Sequence, residues 1–409
     1  MKITHCRLCG SDALELVADL GYHPLADTFL PAELLYGPEV HYPLELGMCR
    51  NCGHVATRFS VSAVDRYQKT DYSYDSSNSK VSITHFREFA DAVLAVFTPQ
   101  PNALISDIGS NVGTLLSHFK ALGHLNVLGV EPAGNIARIA VQEGIPTLNA
   151  FFDESIVQPL RGKGPVQILL SSNVVNHADD LRGLLGTARD VMAPDAVFVF
   201  EVPYLLDLVQ RTAFDTIYHE HVHYYGIKPL ARCLASQGFS IFKIDRIDYM
   251  CGSIRVYTHV GGAHAAEVGA MIAEEERFGL YSMATWRQFM DRVRRVKLSV
   301  TEHLSRIRSA GGRIIGIGAA TKGNTFLNYC RLDRDTVEYI ADSSKLKVGK
   351  LTPGSHIPII ADADIDRSAT HALILPWNIA PMLQAKLAHL GLKFYVPQVE
   401  SAPESQTRK

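Results

Sequence analysis

Asp107-Ile108-Gly109-Ser110-Asn111-Val112-Gly113, entered from the apolar run Leu104-Ile105-Ser106, decides the fold. A short β-rich run that closes on two glycines and opens into VGTLLSHFKALG reads as strand, turn and helix. The glycines let backbone approach a ligand at the carboxyl end of the first strand of a parallel sheet. Outward from it, NVLGVE, VQILLSSN and AVFVFEV are further short apolar runs, with NIARIAVQEG and DLRGLLGTARDVM between them at helical spacing. This βαβ alternation predicts a Rossmann-like α/β domain over residues 76–262.

The glycine spacing is GxxxG, not the GxGxxG of dinucleotide sites, and no Lys-Ser/Thr follows to make a phosphate loop. The next strand ends in Glu131-Pro132, where a carboxylate can accept both hydroxyls of a ribose. Gly109, Ser110, Asn111 and Gly113 together with Glu131 fit S-adenosylmethionine, whose adenosine carries no pyrophosphate to cradle. NAD would share the acid and prefer the other spacing; a merely structural turn is the plainer alternative. Phe151-Phe152-Asp153 and Ser172-Asn173 follow the third and fourth strands, where adenine and methionine contacts belong, so Phe152, Asp153 and Asn173 are cofactor candidates with Pro132.

Two CxxC-Gly units, Cys6/Cys9 and Cys49/Cys52, lie in a Gly-, Pro- and His-containing segment with little helical periodicity. A two-residue spacer lets both thiolates of a pair reach one ion, so four thiolates predict a closed, structural zinc site in a module at residues 1–75. A redox pair is the alternative. His5 and His54 adjoin the ligands and read as outer or surface residues.

The bulk numbers restrict the function. A chain of 409 residues predicts two or three domains, and 47% apolar with 20% charged residues predicts a packed protein. A net charge of −2 gives no pull toward nucleic acid or anionic membrane. The amino-terminus reaches its cysteines before any apolar stretch, and no run approaches the roughly 20 residues of a membrane helix. With an odd count of seven cysteines, this predicts thiol and metal chemistry in the cytoplasm rather than a disulfide framework.

Tyr218-His219-Glu220-His221-Val222-His223-Tyr224-Tyr225 packs three imidazoles, a carboxylate and three phenols into eight residues. That composition suits proton transfer better than a core. His219 and His221 are two apart and cannot share a helical face, so one points inward and the other is structural or exposed. A metal-binding HxH pair is the alternative, and no third ligand is evident. Tyr224 and Tyr225 read as core. His177, at the end of the fourth strand, should reach the mouth of the cleft.

Residues 265–310 read as a long helical passage ending at Gly311-Gly312. RIIGIGAATKGN, VEYIADSS, HALILPW and KFYVPQVE then form a second Rossmann-like unit, so residues 263–409 make a carboxyl-terminal α/β domain with a helical linker; the polar tail SAPESQTRK reads as frayed. Its glycine turn suits a pyrophosphate at a helix amino-terminus, with Thr321, Lys322 and Asn324 in the turn, Asp342 for a ribose and Lys347, with Lys345 and Lys350, for phosphate charge. A ligand-free unit is the alternative.

Taken together, the four-cysteine module, IGSNxGTLL with GVEP, EVPYLLDL, FDTIYHEHVHYYG, GSIRVY and GIGAATKGNTFLN resemble the nucleotide-linked deoxysugar C-methyltransferases, over almost the whole chain. The family commonly carries Asp where this chain has Val112. The resemblance implies a three-domain enzyme with S-adenosylmethionine in the middle domain and a TDP- or GDP-linked 4-keto-6-deoxyhexose between the middle and carboxyl-terminal domains; a monomer is expected. It also implies His221 as general base, with Tyr218, His177 and Tyr72 (from Tyr72-Ser73-Tyr74) near the reacting ketone. Glu220 would orient a histidine or close a salt bridge. The expected reaction is C3 methylation through an enolate. Rivals are C5 methylation of a similar sugar, a zinc-containing RNA methyltransferase, an NAD-linked sugar-nucleotide oxidoreductase, and a non-catalytic sugar-nucleotide scaffold. Near-neutral charge without an aromatic-basic stripe argues against RNA.

Overall fold

The computed structural model describes residues 1–69 and 71–397; the polar tail lies outside them. The middle of the chain forms a seven-stranded sheet in the spatial order Phe239–Ile247, Ser253–Val260, Met192–Pro203, Val166–Ser172, Leu104–Ile108, Val127–Val130, Thr147–Leu148. The five strands from Met192–Pro203 to Thr147–Leu148 are parallel, and Ser253–Val260 runs antiparallel to both neighbours. All four runs read as strands are strands. Leu104–Ile108 is wholly buried, as a central parallel strand must be, and successive connections leave it in opposite directions, which opens a crevice at its carboxyl end.

The hairpin Phe239–Ile247/Ser253–Val260 was not legible as strand because charges interrupt it. Lys243 pairs with Asp245, while Arg255 is buried against Glu201 of the neighbouring strand. The passage 265–310 is two helices, not one. Gly279, at φ +77°, ends Ala266–Phe278 in a left-handed cap, and Met283–Ser309 begins after a short turn. Trp286, fully buried, seals that turn by donating its indole N–H to the Leu280 carbonyl at 3.0 Å.

Residues 314–395 carry five parallel strands in the order Ile359–Ala361, Ile340–Asp342, Ile314–Ile317, His371–Ile374, Lys393–Tyr395. The run KFYVPQVE contributes only its first three residues to this sheet; Gln398–Glu400 fall outside the described residues. The amino-terminal segment is antiparallel: Leu14–His23 pairs with Tyr42–Cys49, which pairs with Val55–Thr57. Two joints tie it to the rest. Val55–Thr57 takes His223–Tyr224 as its outer neighbour, and Leu30–Pro31 pairs with Lys350–Leu351.

Candidate active site

The carboxyl ends of the two parallel sheets open onto one cleft of about 1290 Å³, lined also by residues 72–76 and Asp27 of the amino-terminal segment. Asp27 joins three parts of the chain. Its carboxylate accepts from the Ser73 hydroxyl at 2.8 Å and the Thr321 hydroxyl at 2.6 Å, and its amide donates to Glu220 at 3.0 Å. Nothing in the sequence singled it out.

On the middle-domain side, Gly109 (φ +63°) and Asn111 (φ +52°) turn the chain left-handed beneath the cleft. Asn111 and Ala133 donate their amides to the two oxygens of Glu131, at 3.0 and 2.8 Å. Each oxygen keeps a second lone pair. Burial pushes the Glu131 carboxyl up to about 7 and that of Asp107, with Glu131 and Glu201 nearby, to about 8. Ser110, Pro132, Phe152, Asp153 and Asn173 also line the cleft, although one oxygen of Asp153 already caps the turn at Ser155. Gly113 does not line it: at φ +83° it starts the helix Thr114–Ala121, where a Cβ would meet Ile145 at 2.7 Å. Val112 packs with Ala133 and Ile136. At Gly109, a Cβ would overlap Val174. Gly109→Ala should therefore cost about 1–2 kcal/mol for the left-handed backbone and about 1–3 for overpacking. A chemical denaturation midpoint unchanged from wild type would sink that expectation.

The histidine run follows the 3₁₀ turn Phe214–Thr216 as a turn leading into the strand His223–Tyr224, not as a helix; His219 and His221 part, but through that turn rather than by helical spacing. His219 leaves the cleft and hydrogen-bonds the Pro43 carbonyl at 3.2 Å. His221 faces it, with Nδ1 2.9 Å from the Thr216 carbonyl and Nε2 2.6 Å from the Tyr218 hydroxyl. A carbonyl only accepts, so Nδ1 carries the proton and the Nε2 lone pair receives the phenol. Burial lowers the His221 imidazole to about 3 and keeps it neutral. The His177 ring lies 4.9 Å away, its Nδ1 2.6 Å from the Tyr67 hydroxyl. Tyr72 lines the same wall, 5.5 Å from Tyr67 between ring centres.

Among the described residues Glu220 neither orients a histidine nor closes a salt bridge. One oxygen accepts the Asp27 amide, the other is buried without a protein partner, and burial raises the carboxyl to about 7. Tyr225 is core, as read, and Tyr224 is buried beside it. Of the two places expected for His54, just outside the metal ligands or at the surface, it takes the first: it is buried, its carbonyl accepts the Cys49 amide at 2.8 Å, and its ring is bonded to His223 at 2.8 Å.

Across the cleft, Gly318 (φ +80°) lies so near Pro376 that a Cβ would stand 2.6 Å from it. Asp342 repeats the Glu131 arrangement, accepting the Ala319 and Ser344 amides at 2.6 and 2.7 Å. Thr321, Lys322 and Lys347 line the cleft, while Lys345 and Lys350 do not. Lys347 donates to the Ala319 carbonyl at 2.9 Å. The Lys322 ammonium is already matched, 3.7 Å from Asp215 and 4.4 Å above the Trp377 ring. Asn324 is buried away from the cleft, and its amide donates to the Ala26 carbonyl at 2.7 Å.

One relative settles the family. The C-methyltransferase NovU of Streptomyces niveus is 31% identical over 406 residues, covering 97% of this chain and 95% of its own. The chain belongs to the C-methyltransferase family. Family models match in three consecutive blocks: a zinc binding domain at residues 6–67, a methyltransferase domain at 83–244 and a C-methyltransferase C-terminal domain at 248–397. Among solved structures, magnesium protoporphyrin IX methyltransferase from Synechocystis PCC 6803 aligns at TM-score 0.34 and 14% identity, over 44% of this chain and 82% of that one. An S-adenosylmethionine dependent methyltransferase from Mesorhizobium loti aligns at 0.35 and 15%, over 43% and 99%.

This C-methyltransferase takes its methyl group from S-adenosylmethionine and holds zinc in its first domain. The residues present fit both groups. Asp107 Oδ1 and Ser110 Oγ at the glycine turn and Asn173 Oδ1 just after the strand Val166–Ser172 are buried without a partner among the described residues, as polar atoms awaiting a polar ligand are. The four Sγ atoms lie within 4.8 Å of one another, with Cys6–Cys52 at 3.7 Å and Cys9–Cys49 at 3.5 Å. Zinc–thiolate bonds of about 2.3 Å in a tetrahedron require edges of about 3.8 Å. Among the described residues no helix is long and apolar enough to cross a membrane.

Proposed function

We propose that the enzyme methylates C3 of a nucleotide-diphosphate-linked 4-keto-6-deoxyhexose through an enolate. The observation that carries this reading is the fixed polarity of His221: Nδ1–H is held by Thr216, so the ring's one basic site is Nε2, on a residue that lines the cleft, and the Tyr218 hydroxyl bonded to it must swing away before it takes a proton. A carbonyl at C4 makes the C3 proton removable, and a buried neutral imidazole is a base for it. Negative charge then develops on the C4 oxygen, where His177 or Tyr72 can donate. Tyr218 donates to His221 in this structure, so it can serve the ketone only by leaving that imidazole. Bound S-adenosylmethionine would supply a sulfonium methyl to the carbanionic carbon.

Glu131 would hold the ribose hydroxyls, with Gly109, Ser110 and Asn111 against the methionine part. Asp342 and the amino-terminus of the helix Thr321–Cys330 would take the nucleotide-diphosphate. Because hydroxyl donors favour the ionised acid, cofactor affinity should rise as pH climbs from 6 to 8 through the Glu131 value of about 7. Below that value it should fall by up to about tenfold per unit, and Glu131→Gln should flatten the profile. A wild-type affinity independent of pH across this range, by titration calorimetry, would remove Glu131 from the ribose.

The test of the reaction is mass spectrometry on enzyme, S-adenosylmethionine and TDP- or GDP-4-keto-6-deoxyhexose. A gain of one methyl in one series, located at C3 by NMR, is expected. No gain with either sugar, despite measured cofactor binding, would overturn the substrate; methylation at C5 would overturn the position.

A further inference from the structure

Beside the His221–Tyr218 pair stands a second one, Tyr67–His177. Tyr67 closes the short helix Ala63–Tyr67, and its ring stacks on His177 at 15° with ring centres 6.2 Å apart. Its hydroxyl has one partner among the described residues, His177 Nδ1 at 2.6 Å. His177 Nε2 is buried, has no partner, and belongs to a residue that lines the cleft.

Two tautomers are available, and hydrogen-bond bookkeeping separates them. With the proton on Nδ1, that N–H would donate to the phenol oxygen. The Tyr67 proton would then point at no acceptor, and the Nε2 lone pair would be buried unused, giving two orphans. With the proton on Nε2, the phenol donates to Nδ1 and the only orphan is the Nε2–H donor. An unmade buried hydrogen bond costs about 1–3 kcal/mol, so the second arrangement prevails. Arg66 fixes the pair from behind: Nη1 holds the His177 carbonyl at 3.1 Å, and Nη2 is paired with Asp179.

We infer that Tyr67 is a positioning residue that locks His177 as an Nε2–H donor, so that two Tyr–His pairs of opposite polarity face one substrate. His221 offers a lone pair once the Tyr218 hydroxyl leaves it, and His177 offers a proton, with ring centres 4.9 Å apart. The first suits the carbon acid and the second the oxygen on which charge develops. This rests on the enolate reading above. Identical imidazoles are thus made base and donor by what their Nδ1 atoms meet: a carbonyl at Thr216, a hydroxyl at Tyr67.

The test has two arms. Imidazole ¹⁵N NMR of the whole enzyme, with the His177 signal assigned by its absence in His177→Gln, needs no sugar. A neutral Nε2–H tautomer in wild type, lost or mixed in Tyr67→Phe, is expected. An Nδ1–H tautomer in wild type, or the same spectrum in Tyr67→Phe, would overturn the inference. On the sugar, Tyr67→Phe should lower kcat by roughly 10- to 10²-fold with KM little changed, the scale of a weakened oxyanion donor. A Gln amide supplies an N–H near the Nε2 position without Tyr67, so the Tyr67→Phe loss should vanish in a His177→Gln background. A full loss in both backgrounds would place Tyr67 in another role. Wild type inactive on either sugar would defeat the proposed reaction, leaving the NMR arm to decide the tautomer.

Discussion

Replacing His221 by Asn leaves an enzyme that binds S-adenosylmethionine as wild type does and turns over roughly 10²–10⁴-fold more slowly, the usual contribution of a positioned base. Asn retains a donor near Nδ1 for the Thr216 carbonyl but deletes Nε2, which leaves the buried Tyr218 hydroxyl without its acceptor at a cost of about 1–3 kcal/mol. The cofactor turn at 107–113 makes no hydrogen bond to His221, which is why binding and turnover should separate. The wild-type rate should also lack an acid limb from this base near neutrality: burial holds His221 at about 3, below the ordinary histidine value, so it stays unprotonated as pH falls through 6. Single-turnover rates and calorimetric binding constants decide the matter. Turnover near the wild-type rate would take His221 out of the chemistry.

Stripping zinc, or mutating Cys49→Ser, should lower the melting temperature and abolish activity together. Structural zinc contributes on the order of 10 kcal/mol to small modules, and here the buried ligands Cys6, Cys49 and Cys52 belong to the same apolar core as Leu44, Leu46, Met48 and Val55. Its loss also travels. Cys49 ends the strand Tyr42–Cys49, whose partner Val55–Thr57 carries His223–Tyr224 on its outer edge, and the Thr57 amide holds the Val222 carbonyl at 3.0 Å. The next residue back is His221. Metal content, a thermal melt and turnover should fall in parallel; a zinc-free enzyme with an unchanged melt would make the metal dispensable.

Much of this was legible because it is local in sequence. The strand-turn-helix at 107–113 and the convergence of the four thiols follow from spacing, whereas His219 and His221 part through a turn that a helical reading of their spacing did not contain. Long-range partners were invisible. Asp27 is an unremarkable acid in LADTFL until Ser73 and Thr321 converge on it, and Tyr67 gains a role only when His177 folds against it. Asn324 shows the reverse: a motif residue facing the neighbouring segment rather than the ligand. Asp342 and Glu131 share one geometry without a shared sequence, since two amides and a strand end are all that the geometry demands. Membership of the family sets the oxidoreductase reading aside.

The sheet joints at Ala56–His223 and Leu30–Leu351 dictate an order of birth. All four cysteines leave the ribosome before either partner strand exists. At synthesis rates of about 5–20 residues per second, the edge strand 55–57 waits on the order of ten seconds for its neighbour. Metal capture can therefore precede edge capping, and the clasp at Leu351 is the last of the three to become available. A cell short of zinc would accumulate nascent chains with an open strand edge, prone to sticking to one another, rather than a finished enzyme missing its metal.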